Sequence, residues 1–153
     1  MKVDQLLQLL DDPAKISELD DKAPASAIKE DWLPHSDDLP VLTRIYAVEQ
    51  LAALGPAAAT AVPKLVEVTQ RRPDGELEKL LCLEVVTALW AIDGTKELFV
   101  PVLAELAKDD EWWVRARVAK LLGEIGADFV VENLLQDEHY EVRRAAQKAV
   151  ARE

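Results

Sequence analysis

Covalent or metal chemistry needs thiols, imidazoles or carboxylates held together at set spacings, and this chain of 153 residues has few to offer. It contains one cysteine, Cys82, and two histidines, His35 and His139. A single thiol excludes an internal disulfide and a cysteine-rich zinc site. No histidine stands near Cys82 in sequence to take its proton, so it reads as a small buried hydrophobe rather than a nucleophile. No phosphate loop, HExxH, GxSxG or EF-hand pattern occurs. The 29 carboxylates are accounted for by solvated helix faces, and nothing marks one pair as acid and base. The expectation is no catalytic residues, no metal and no cofactor.

Residues suited to recognition are better represented. Arg117 and Lys120, then Arg144 and Lys148, stand at positions expected to be exposed. Lys120 and Lys148 are 28 residues apart and repeat-equivalent, which predicts that they lie side by side on one face. They read either as ordinary surface bases balancing Glu111, Glu124 and Glu141, or as a basic strip gripping an acidic peptide or a carboxylate. Trp113 is expected to face solvent, because it is hard to bury beside Trp112 when consecutive helical residues point about 100° apart. Trp112 and Tyr140 are expected to be structural. The segment from Glu76 to Ile92 is apolar almost all round, with Leu83, Val86 and Trp90 at nominally exposed positions, so something must cover it. The cover is either an N-terminal segment carrying Trp32 and Leu33 or a partner.

These residues are ordered by an internal repeat. Arg44, Cys82, Arg115 and Arg143 occupy one position in successive units, 38, 33 and 28 residues apart. Leu51, Leu89, Leu122 and Val150 follow seven residues later. An acid (Asp38, Glu76, Asp109, Asp137) precedes each anchor by six. Each anchor arginine is expected to pair with an acid of its own or the next unit. The segments AVPKLVEV and FVPVLAEL repeat at 38, and DFVVENLL fills the same slot later. Val114, Val118, Leu121, Leu122 and Ile125 share one helical face. Asp109 and Asp137 suit helix N-termini; Gly55, Gly94 and Gly126 stand where helices should stop, and Pro56, Pro63 and Pro101 suit loops or first turns. The predicted helices are 39–54, 59–72, 76–92, 96–108, 111–125, 127–136 and 140–152, after a short one over Val3 to Leu10. Residues 1–37 are expected to cap a repeat array over 38–153.

The runs VRARVAKLLGEIG at 114–126, EVRRAAQKAV at 141–150 and LAALGPAAATAVPKLVEV at 51–68 resemble HEAT repeats, in the short bacterial form similar to phycobilin-lyase-like proteins. Cys82 stands where the family has arginine, Thr43 where it has valine, and the last unit lacks the Leu-Gly ending. The resemblance implies an all-α fold, an α-solenoid of stacked helical hairpins, and the residues read above then point to a non-catalytic module that binds another protein or peptide on its concave helix face through Leu83, Val86, Trp90, Trp113, Arg117, Lys120, Arg144 and Lys148. It also admits a chromophore-handling protein, an acidic immunity- or inhibitor-type protein, and a DNA glycosylase built on such repeats. HEAT-like hydroxylases hold metal with repeated His-Glu pairs; here Glu138-His139 is single and reversed.

The net charge of −11 repels a phosphate backbone and argues against nucleic acid. Residues 1–40 hold ten acids and four bases, so that end is the more acidic per residue. Hydrophobic residues at 50% and charged residues at 31% are a globular composition. The run from Leu80 to Ile92 is too short to cross a bilayer, and acids interrupt the first residues where a signal peptide needs an apolar run. A cytoplasmic monomer, away from membranes, is the expectation.

Overall fold

The computed structural model describes residues 2–13, 39–73, 75–126 and 128–151. The chain divides into two compact units, Met1–Gly94 and Thr95–Glu153, and every regular element among the described residues is helical. Trp32, Leu33, His35, Asp38 and most of the expected cap lie outside the described residues.

In unit 1, α1 (Val3–Asp11) buries Leu6, Leu9 and Leu10 against α2 (Leu39–Leu54). Its C-terminal end is fastened twice. The Arg44 Nε donates to the Leu10 carbonyl at 3.0 Å, and Lys64 pairs with Asp11. A 3-10 segment, Gly55–Ala61, leads into α3 (Val62–Thr69), and α4 (Glu76–Ile92) packs against α2, α3 and the 3-10 segment. Taken together, Pro40–Thr69 is apolar and long enough to cross a membrane by composition. Its α-helical arms of 16 and 8 residues are each shorter than the roughly 20 needed for a span.

In unit 2, a 3-10 turn (Lys96–Leu98) precedes α5 (Val100–Leu106), α6 (Trp112–Ile125), α7 (Asp128–Leu134) and α8 (Tyr140–Ala151). Phe99, Leu103, Val114, Val118, Leu122 and Val142 are fully buried between them. The pattern Val114, Val118, Leu121, Leu122, Ile125 turns one apolar face of α6 inward. Gly126 takes φ +83° at the end of α6 and Gly94 φ +76° just after α4. At that dihedral a Cβ would crowd the backbone, so glycine ends both helices.

Helices α2 and α4 begin and end as predicted, while the predicted helices 59–72 and 96–108 are shorter. Pro63 and Pro101 sit in the first turns of α3 and α5, and the residues ahead of them form 3-10 turns. Proline lacks the N–H that would extend an α-helix backwards through it. Glu76 is the first residue of α4, as predicted, behind Gly75 at φ +92°.

Helices α6 and α8 run parallel. Their starts meet where the Trp112 ring stacks on the His139 imidazole, centroids 4.4 Å apart and planes 2° from parallel. Their ends meet where a Cβ on Gly123 would lie 2.6 Å from the Ala149 Cβ. This close approach holds the two helices side by side.

Candidate functional site

Between α6 and α8 lies an open groove of about 530 Å³, within the range for ligand clefts. Helix geometry builds it. Trp113, Arg117 and Lys120 recur at i, i+4 and i+7 on α6, while Glu141, Arg144 and Lys148 recur at i, i+3 and i+7 on α8, so each set forms a stripe. Ala116, Ala145 and Ala149 also line the groove, and their small side chains leave the space open. Trp112 completes one end.

The loops that start both helices are locked by one guanidinium. Arg115 is buried, its Nε donating to Asp137 Oδ2 at 2.8 Å and its Nη2 to Asp137 Oδ1 at 3.1 Å. Its Nη1 donates to the Asp109 and Asp110 carbonyls. Arg143 Nη1 donates to the Asp137 carbonyl at 2.7 Å. Asp109 and Asp137 each accept the backbone N–H two residues on, from Glu111 and His139, turning the chain into α6 and α8. The Asp137 hydrogen bond raises the pKa of Arg115 against the effect of burial. Burial pushes the Asp137 carboxyl up, but the hydrogen bonds from Arg115 and His139 outweigh it and hold it below the usual value. Of the anchor arginines, Arg115 reaches the acid of the next repeat, while Arg143 and Arg44 bind backbone carbonyls instead.

The structure brings Trp113, Arg117, Lys120, Arg144 and Lys148 to one groove. It removes Leu83 and Val86 from any surface: both are fully buried, because α4 has α2, α3 and the 3-10 segment packed around it. Trp90 is 36% exposed on α4 of unit 1 and is not among the groove residues. The two adjacent tryptophans exchange their expected roles. Trp112 is 43% exposed and Tyr140 57%, whereas Trp113 is half-buried. Trp112, Glu141 and the three alanines of the groove were not singled out from sequence as binding residues. Alanines at i−1 and i+1 of the bases on both helices were the available signal.

Cys82 is buried, and desolvation pushes its thiol up to about 11, which leaves little thiolate to react. A hollow of about 150 Å³ in unit 1 is bordered by Arg44, Lys64, Arg71 and Arg72, three of them already engaged by Leu10, Asp11 or Glu67. Burial, then the charge of Glu84, raises the Glu49 carboxyl, but neither lines this hollow or the groove. Among the described residues no three possible metal ligands converge.

No curated protein and no solved structure matches the chain. A profile of HEAT repeats, which are commonly protein-interaction modules, matches residues 62–151. That span runs from the start of α3 to the end of α8 and takes in more than half of the sequence, including both groove helices. With the hairpins, the repeated Arg-Asp geometry and this match in agreement, the chain belongs to the HEAT-repeat family.

Proposed function

We propose that this protein is a non-catalytic interaction module that holds a protein partner in the α6–α8 groove of unit 2. One observation carries the reading: the groove concentrates exposed aromatic surface and four bases where the rest of the unit is acidic. Thr95–Glu153 contains nine bases and twelve acids, yet four of those bases and only Glu141 among the acids line the groove. Exposed aromatic surface next to arginine is the composition enriched at interface hot spots. Arg115 ties the starts of both groove helices together, an ordering that lowers the entropic cost of docking.

The test places a photo-crosslinking benzoylphenylalanine at Tyr140, on the first turn of α8 beside Arg144, and at exposed Gln147 as a control. Illumination in the source cell should capture a partner from position 140 and not from 147. Capture should fall when Trp112→Ala, Lys120→Glu or Lys148→Glu is added. Equal capture from both positions, or capture indifferent to those substitutions, removes the groove from the reading.

A further inference from the structure

The groove has an internal order. Because α6 and α8 run parallel, residues at equivalent heights face each other in tiers. At the starting end stand Trp112 and Trp113 opposite Glu141; next come Arg117 and Arg144; last come Lys120 and Lys148. With a rise of about 1.5 Å per residue, the arginine tier lies about 6 Å from Trp113 and the lysine tier about 4.5 Å further. Among the described residues Lys120 and Lys148 enter no ion pair, and Arg144 makes one long contact, 3.4 Å to the Tyr140 hydroxyl. Arginine suits bidentate carboxylate binding, and lysine supplies a point charge.

We propose that the groove takes an acidic segment of a protein partner, with an apolar side chain against Trp112 and Trp113 and two carboxylates on the arginine and lysine tiers. The proposal rests on the groove being a protein-binding surface and names the chemistry that it selects. Glu141 sets the polarity. Facing Trp113, it repels a carboxylate at the aromatic end and so drives acids toward the other two tiers. It also disfavours a nucleic-acid strand, whose phosphates would pass every tier, Glu141 included. Lys120, Lys148 and the weakly held Arg144 offer charge for two carboxylates, a number that one short acidic stretch supplies.

The probe is a capped synthetic peptide carrying one leucine, then glutamates two and four residues later, in a serine background. Its spacing fits an extended chain rising about 3.3 Å per residue. Titrated into the 15N-labelled whole protein, it should shift amide resonances of α6 and α8. Replacing its glutamates by glutamine should weaken binding at least about fivefold, since each exposed charge pair contributes a modest factor. Lys120→Gln with Lys148→Gln should do the same; both changes are on exposed side chains, and amide dispersion verifies the fold. A third peptide with glutamate in place of leucine should bind wild type more weakly and recover in Glu141→Gln. Equal binding of the glutamine peptide, no α6–α8 shifts at millimolar peptide, or tighter binding of oligothymidylate each overturns the proposal. If position 140 still crosslinks a partner while the glutamate peptide fails, the acidic chemistry is wrong and the interaction module stands.

Discussion

One guanidinium, that of Arg115, joins the loop before α6 to the loop before α8. Arg115→Ala leaves the shielded Asp137 carboxylate with only part of its hydrogen bonding, and should cost about 3 kcal/mol in urea unfolding. The same pair gives a pH dependence. Asp137 is held below its usual pKa in the folded protein, so its contribution is present above the unfolded value, about 3.9, and is lost as pH falls through the lower folded value. Wild type should therefore lose stability below about pH 4 more steeply than Asp137→Asn, as acid titrations of tryptophan fluorescence would record. Gly123 tests packing. Alanine there gains about 1 kcal/mol of helix propensity. Its Cβ would meet the Ala149 Cβ at 2.6 Å and Cα at 2.8 Å, and overpacking against backbone typically costs about 1–3 kcal/mol. Gly123→Ala should be net destabilising and should splay α6 from α8. A melt at or above the wild-type temperature would show that the helices separate without penalty. Trp112→Ala, removing a 43% exposed side chain, should disturb the melt less than Trp113→Ala, the reverse of the order expected from sequence.

At the level of elements, each repeat needs its second helix to bury one stripe. Leu89 in α4 and Leu122 in α6, seven residues after their anchors, are both fully buried. Leu89→Ala and Leu122→Ala should each cost about 2–5 kcal/mol by cavity formation. Native-state hydrogen exchange localises the damage: protection should fall first in α2 and α4 for Leu89→Ala, and first in α6 and α8 for Leu122→Ala. Uniform loss throughout the chain for both variants would contradict separate compact units. The bounds of α2 and α4 were legible because their causes are local, glycine at positive φ and periodic leucine and valine, whereas α3 and α5 begin later than expected, at the prolines of their first turns. The burial of Leu83 and Val86 was not legible. Periodicity reports only the phase of a helix around its own axis, whereas exposure depends on how many neighbours pack around it, and α4 has several.

Across the whole molecule, the −11 charge and the basic groove act at different ranges. At about 10 mM salt the Debye length is near 30 Å, so an approaching acidic peptide meets the summed negative field; at about 0.1 M it shrinks to about 10 Å and the groove dominates. Association of the glutamate peptide should therefore be faster at 0.1 M than at 10 mM, while dissociation quickens as salt rises further. Stopped-flow measurements across that range would register the turn. A steady fall in association rate from the lowest salt upward would mean that the local bases outweigh the net charge at all distances. Trp112→Ala should act mainly on dissociation, with a salt dependence unlike that of the lysine variants.

The sequence alone determined that this is an all-α repeat, because the offsets between Arg44, Cys82, Arg115 and Arg143 and the leucines seven residues on are a one-dimensional record of stacked helices. It also determined that Lys120 and Lys148 share a face, since equivalent positions of adjacent repeats must align. Only the tertiary structure decided that alanines open a groove between the two helices, that Leu83 and Val86 are buried and do not line it, and that Trp112 rather than Trp113 is the more exposed ring. The burial depends on the helices packed around α4; the groove and its rings depend on the spacing and rotation of α6 against α8, set by Gly123, Ala149 and the Arg115–Asp137 clamp. Such quantities arise between helices, and no periodicity within one helix encodes them.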